Sequence, residues 1–266
     1  MKKTVLVIAF LFVASLLSAV EVLAGPVFEK IIKKKELVVG TSGTQPPMTA
    51  ITKKGEIIGF DADIARAIAE AMDVRVKFVT MTFSKLLPAL EAGKIDMVIS
   101  GLTMAPARNR TVAFVGPYFV SGKGILAKSV KYTAIQNANG LNAPEVSIAA
   151  LKNSTSQKFA ETLMPKAKLT LTNSYEEAII LLQEDKIDVV VADFPFCALT
   201  VYRNPGKGMM AGKSPLTFEP LGIAMPEDTL LINWVQNFLN LLQGGGRLKE
   251  IHNKWLSGGA WVDELP

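Results

Sequence analysis

Residues 86–101, LLPALEAGKIDMVISG, and residues 179–193, IILLQEDKIDVVVAD, are two versions of one pattern. Lys94 aligns with Lys186 and Asp96 with Asp188. Each version runs from helix-like apolar spacing through a polar turn into an apolar strand. That is the helix-to-strand half of a βαβ unit, so its repetition predicts an α/β chain of two lobes of similar build. Upstream of each copy stands another strand followed by turn chemistry, ELVVGTSGTQPP (36–47) and EVSIAALKNSTSQ (145–157). In the first half, GEIIGFDADIARAIAEAM (55–72) repeats Ile64, Ile68 and Met72 at helical spacing behind a plausible cap at Asp61, and VRVKFVTM (74–81) alternates as a strand. In the second, a helix is expected from about 154 to 163, then the strand LTLT (169–172), then a helix from Ser174 with Glu176 and Glu177 in its first turn.

Working outward, AFVGPYFVSGKGILAKS (113–129) leaves the first lobe and LTFEPLGIAMPED (216–228) returns to it, so two crossings form a hinge. Residues 25–121 plus 220–266 are expected in lobe 1 and 122–219 in lobe 2. The helical tail, with Leu231, Trp234, Phe238 and Leu241 on one face, completes lobe 1. The first 24 residues carry Lys2 and Lys3, an apolar run from Val5 to Val20, and small residues at a cleavable spacing: a signal peptide cut after Ala24. The run is too short and too hydroxylated at Ser15 and Ser18 for a spanning helix. Lys2, Lys3 and Glu21 leave with it, so the net charge falls from +5 to +4. The one basic cluster, in FEKIIKKKEL (28–37), lacks interleaved aromatics and reads as a solvated helix face, not a nucleic-acid site. The single cysteine, Cys197, excludes an intramolecular disulfide, gives no lipid anchor at the cleavage site, and reads as a buried thiol. An exported protein without a lipid anchor belongs in a periplasm.

In an open α/β sheet, ligands collect beyond the carboxyl ends of the strands. Ser100, Gly101, Thr103 and Arg108 follow one strand and Asp193 another; Asn153, Ser154 and Thr155 follow a third, and Thr41, Ser42 and Gln45 a fourth. If the lobes face each other, these ends line one cleft. A ligand with a carboxylate and an ammonium on neighbouring carbons satisfies the set. Arg108 takes the carboxylate as a bidentate fork, assisted by Thr103, Thr155 and the helix start at Ser154, and Asp193 takes the ammonium. Each residue also has a structural reading: Arg108 as a surface residue, Asp193 as a turn former, Ser154 and Thr155 as helix-start residues, Phe83 as core. His252, the only histidine, stands apart from these clusters. No metal-ligand spacing, phosphate loop or GxSxG is present, so metal, nucleotide and serine-hydrolase chemistry have no support and no cofactor is expected.

GEIIGFDADIARAIAEAM, the run from Phe83 to Tyr118 within MTFSKLLPALEAGKIDMVISGLTMAPARNRTVAFVGPYF, and IDVVVADFP resemble the polar-amino-acid branch of the periplasmic solute-binding proteins (family 3) of ABC importers. The resemblance implies two Rossmann-like lobes joined by a two-stranded hinge, the periplasmic binding protein type II fold. It also implies a monomer that closes on a free amino acid or close analogue and hands it to a membrane permease, without turnover. By position, Arg108 matches the arginine that grips the carboxylate, with Gly101 and Thr103 beside it. Asp193 matches the acid for the amino group, Ser154 and Thr155 the second lobe's hydroxyl pair, and Phe83 a wall of the side-chain pocket. The chain departs from the family at Gln45, where an aromatic is common, at Asn153, where a glycine is usual, and at Ser42, where receptors for cationic amino acids place an acid. A strongly basic ligand side chain is therefore disfavoured. The scaffold also resembles exported cyclohexadienyl dehydratases, which act on prephenate or arogenate and require a general acid. By position that glutamate falls three residues after Asp193, where this chain has Phe196.

Overall fold

The helix Pro26–Lys34 begins with a proline, whose missing N–H costs nothing in the first turn, and ends on Lys33 and Lys34, which complement the negative helix end. In this computed structural model, which describes residues 25–135 and 137–266, the chain then builds strands β1 (Glu36–Thr41), β2 (Thr44–Gln45), β3 (Thr49–Ile51), β4 (Ile57–Ile58), β5 (Arg75–Thr80), β6 (Met97–Val98), β7 (Ala113–Ser121), β8 (Lys123–Ala127), β9 (Ser147–Leu151), β10 (Lys168–Thr172), β11 (Val189–Asp193), β12 (Met210–Ala211) and β13 (Glu219–Met225). The segment read as a signal peptide lies outside the described residues.

Two five-stranded sheets share one plan. The first has the order β5-β1-β6-β13-β7, with β1 parallel to β5 and β6 and with β13 antiparallel to β6 and β7. The second has the order β10-β9-β11-β8-β12, with β9 parallel to β10 and β11 and with β8 antiparallel to β11 and β12. In each, the first strand of a βαβαβ run is flanked by the second and third, and the next position is taken by a strand arriving from the other half. Those arrivals, β8 and β13, are the two crossings. Strands β2, β3 and β4 form a small separate sheet.

The repeat seen in the sequence is a repeat of hydrogen bonds. Gly93 and Asp185 both adopt left-handed backbone (φ 67° and 56°), closing the helices Leu86–Glu91 and Tyr175–Gln183. Behind them, the N–H of Lys94 reaches the carbonyl of Ala89, and that of Lys186 the carbonyl of Leu181, the geometry of a Schellman stop. Asp96 Oδ2 then accepts from the N–H of Val38 (2.9 Å) and Asp188 Oδ2 from that of Ser147 (2.8 Å). Each aspartate thereby ties its own strand to the first strand of its lobe.

Packing divides likewise. One core gathers Ile31, Leu37, Phe60, Ile64, Leu239 and Trp255, so the tail helices Thr229–Gly244 and Arg247–His252 do pack with the first sheet. Another gathers Ile125, Ile148, Phe159 and Val191 around the second. A third joins the lobes, with Leu86, Ile95 and Val98 meeting Leu151, Ala192 and Phe196. The helix Phe60–Ala71 corrects one expectation: Asp61 does not cap it. Gly59 holds the cap position at φ 129°, where a Cβ would stand 2.3 Å from the Met48 carbonyl oxygen, and Asp61 turns inward and is buried. Among the described residues, no helix is long and apolar enough to cross a membrane.

Candidate functional site

The ends of β1 and β6 are bound together: the N–H of Ser42 donates to Ser100 Oγ at 2.9 Å, and the two hydroxyls lie 3.2 Å apart. Beyond β6 the chain turns at Gly101, whose φ of 56° favours glycine and whose absent side chain leaves room for Gln45; a Cβ would lie 2.9 Å from the Gln45 amide nitrogen. The Gly101 N–H points down to Asp61 Oδ2 (2.5 Å), while Tyr118 Oη donates to Asp61 Oδ1 (2.9 Å). Burial pushes the Asp61 carboxyl up to about 7, outweighing these two bonds, which act in the opposite sense. The sequence reading missed this residue because nothing in its spacing distinguishes an inward carboxylate from a capping one.

Thr103 and Arg108 stand on the same loop. Arg108 Nη1 donates to the Thr103 carbonyl (3.0 Å) and Nη2 crosses to the Asn153 carbonyl of the second lobe (3.2 Å). The guanidinium lies over the Phe83 ring, 5.6 Å from its centroid. Desolvation pulls its pKa below the ordinary arginine value, opposed first by Glu219 and then by Asp193. Across from it, Ser154 caps the helix Thr155–Leu163, its hydroxyl accepting from the N–H of Gln157 (3.1 Å). Thr155 Oγ1 meets Thr103 Oγ1 at 3.3 Å. The structure therefore brings Arg108, Thr103, Gly101, Ser100, Thr155, Ser154, Phe83, Gln45 and Asp193 to the junction of the lobes.

Asp193, expected to take the ammonium, is already in contact with other side chains of the chain. Antiparallel pairing of β11 with β8 sets Asp193 directly opposite Lys123, and Lys123 Nζ contacts Asp193 Oδ1 at 2.5 Å. Gln45 Nε2 donates to the other oxygen from the first lobe. Lys123 is buried, and it also faces Glu219 Oε2 at 3.6 Å. Glu219 opens β13 opposite Ser121, and its Oε2 accepts from Thr103 Oγ1 at 2.7 Å. Neither Lys123 nor Glu219 was singled out from the sequence. Both sit in the crossings, where hinge composition hid them; the signal that could have found them is a charged residue inside an otherwise apolar strand.

Other groups set aside earlier remain so. Burial pushes the Cys197 thiol up to about 12, which makes it unreactive. Phe196 is 3% exposed and stacks on Tyr175 with centroids 4.6 Å apart. His252 packs against Phe119 and Phe60. It borders a cavity of about 550 Å³ between the helix Phe194–Arg203 and the tail, whose walls include Phe194, Leu199, Trp255 and Trp261. That cavity is largely apolar, and neither Arg108 nor Thr103 lines it. Among the described residues, no group of three acid, histidine or cysteine side chains is arranged to hold a metal.

Two α/β lobes of matching plan, linked by two crossings and meeting over a strip of charged and hydroxyl groups, define a solute-binding protein of the type II architecture. The chain belongs to the bacterial extracellular solute-binding proteins, family 3, whose model matches residues 37–258. It is 31% identical over 220 residues to ABC transporter arginine-binding protein 1 of Escherichia coli K12, covering 81% of this chain and 88% of that one. The crystal structure of the ancestral amino acid-binding protein AncCDT-1, a precursor of cyclohexadienyl dehydratase, superposes with a TM-score of 0.80 at 33% identity, covering 86% of this chain and 99% of that one. A cyclohexadienyl dehydratase of Pseudomonas aeruginosa is 23% identical over 228 residues, covering 86% of this chain and 85% of that one.

Proposed function

We propose that this protein captures a free α-amino acid, or a close analogue, between its lobes and delivers it to the permease of an ABC importer. The observation that carries the reading is Arg108. Its guanidinium bonds only to neutral carbonyl oxygens, one from each lobe, and lies over Phe83 in a half-buried position. A carboxylate placed there gains a charge-assisted fork, each bond contributing about 1.5–3 kcal/mol. The helix start at Ser154 and Thr155 adds N–H donors and a favourable dipole to the same anion. The ammonium end faces the acidic side of the cleft, where Asp193 and Glu219 lie.

In this reading residues 25–121 plus 220–266 form one lobe and 122–219 the other, hinged at the two crossings and closing on the solute. The protein is exported by cleavage after Ala24, works in the periplasm as a monomer, and does not turn its ligand over. Support for the last point comes from Phe196, an apolar side chain committed to packing where the dehydratase chemistry asks for an acid.

Calorimetric titration of the purified, ligand-stripped protein with each of the twenty amino acids, a dicarboxylate and a sugar tests the reading. Binding of at least one α-amino acid is expected. Arg108→Ala should weaken that binding at least a hundredfold while leaving the thermal transition in place. Binding of the sugar or dicarboxylate alone, or undiminished affinity in the variant, overturns it.

A further inference from the structure

The cavity of about 550 Å³ beside the tail has one wall in each lobe. From the second lobe comes the helix Phe194–Arg203, which lines it with Phe194, Pro195, Ala198, Leu199 and Tyr202, the spacing of one helical face. From the first lobe come Phe119 of β7 and the tail residues Trp255, Trp261 and Val262. Trp255 and Trp261 belong to the first-lobe core, and Leu199 reaches across to pack against that core. Contacts between the lobes bracket the cavity. At one end Gln45 and Asp193, hydrogen-bonded to each other, stand beside the lining residues Pro47 and Phe194. At the other, Arg203 follows Tyr202 and donates to the Pro266 carbonyl at 2.6 Å. The N–H of Phe194 donates to the Gly122 carbonyl (2.8 Å), which anchors the helix wall on a crossing. The width of the cavity is therefore set by the same arrangement of lobes that brings Arg108 to the Asn153 carbonyl and Thr103 to Thr155.

The walls specify the chemistry of an occupant. Among the described residues that line the cavity, none is an aspartate, glutamate, lysine or arginine, so a charged molecule would enter it without compensation. The two indole N–H groups are already engaged: Trp255 Nε1 donates to Asp63 Oδ2 (2.8 Å) and Trp261 Nε1 to the Gly258 carbonyl (3.2 Å). What these side chains offer is ring surface, with centroids 5.0 Å apart and planes inclined at 54°. Phe119, Phe194 and Tyr202 add three more rings. The side chains with hydrogen-bonding capacity left, Tyr202, His252 and Ser257, are at exposed positions on the rim. The volume lies within the range of about 300–1,000 Å³ that small-molecule sites occupy, and rings packed on rings gain beyond the area they bury.

We infer that this cavity is a second ligand site, separate from the cleft, for an uncharged aromatic molecule of one or two rings whose polar edge meets the rim, and that filling it is coupled to lobe closure. The site stands on the cavity alone; the coupling rests on the reading that the lobes close on an amino acid. An occupant that touches both walls favours the arrangement of lobes in this structure. By linkage, the amino acid and the aromatic molecule then raise each other's affinity by the same factor. They do not compete, because neither Arg108 nor Thr103 lines the cavity.

Indole is the probe, with indoleacetate as its charged counterpart and octanol as an aliphatic molecule of similar size. The chain has three tryptophans and two of them line the cavity, so the indole N–H signals of isotope-labelled protein report where a molecule binds. Titration with indole should move the Trp255 and Trp261 signals and leave that of Trp234, which Trp234→Phe identifies, with a Kd at or below about 1 mM. Indoleacetate and octanol should each bind at least tenfold more weakly. With the amino acid found by calorimetry at saturation, indole should bind at least threefold tighter, and saturating indole should tighten the amino acid by the same factor. Ala198→Phe sets a ring into the cavity from an exposed helix position and should weaken indole at least tenfold while keeping the thermal transition. Trp255 and Trp261 signals that stay still at millimolar indole overturn the inference, whether or not the variant folds. So does octanol or indoleacetate binding as tightly as indole. Signals that move with protein concentration and not with indole also overturn it, because a second copy then covers the cavity. Equal affinity for indole with and without a bound amino acid overturns the coupling. Failure of every amino acid to bind removes the reading of the cleft and leaves the second site to be decided by the tryptophan signals and Ala198→Phe.

Discussion

Asp61 shows how one side chain couples stability to pH. In the folded chain its carboxyl is pushed up to about 7 by burial, against 3.8 for an ordinary aspartate. Between those values the folded state holds a proton that the unfolded state has released, so the contribution of Asp61 to stability is complete below about pH 4 and declines as pH rises to about 7. Asp61→Asn keeps an acceptor for the Gly101 N–H and removes the titration. Its stability relative to the unaltered protein, measured by urea unfolding, should increase from pH 4 to pH 8 by an amount on the order of a few kcal/mol. A difference that is flat with pH would show that Asp61 does not titrate in this window. Because Asp61 supports Gly101, the same group links the first-lobe core to the loop that carries Thr103 and Arg108. Arg108 itself was legible from its position after a strand and from resemblance; that Glu219 and Lys123 share its cleft was not, since they are 111 and 15 residues further along the chain.

The helix-turn-strand element repays comparison of its two copies. Gly93 and Asp185 occupy the same left-handed stop with different side chains, and Asp96 and Asp188 make the same bond to a neighbouring strand. Asp96→Ala and Asp188→Ala each leave a strand N–H without its partner, a cost of about 1–3 kcal/mol. Chemical denaturation should register both losses. Hydrogen exchange should place the first near Val38 and the second near Ser147, and exchange that rises equally in both lobes would show that these bonds are not local. Capping was less legible than repetition. Ser154 and Ser174 cap their helices as their sequence position suggests, with side chains accepting from Gln157 and Glu177, but Asp61 does not. A cap and an inward carboxylate look alike in sequence, and the difference is made by Gly101 and Tyr118, which arrive from elsewhere in the fold.

At the scale of the molecule, closure is the property to measure. The lobes meet through Gln45 and Asp193, Thr103 and Thr155, and Arg108 and the Asn153 carbonyl, and also through Arg203 Nη2 and the carbonyl oxygen of Pro266 (2.6 Å). Several of these contacts are polar pairings across the cleft that water can replace, so the ligand-free protein should open at its two crossings. Small-angle scattering should show a smaller radius of gyration on addition of the amino acid found by calorimetry; an unchanged radius would mean that the lobes do not move on binding. The sequence by itself determined the α/β class, the two-fold repeat and the strand ends that bear Arg108 and Asp193, because apolar periodicity and turn chemistry are local. Only the tertiary structure decided which charges face each other. Register between β8 and β11 sets Lys123 against Asp193, and the return crossing brings Glu219 to Thr103; ion pairing follows proximity in space, which spacing along a chain does not fix.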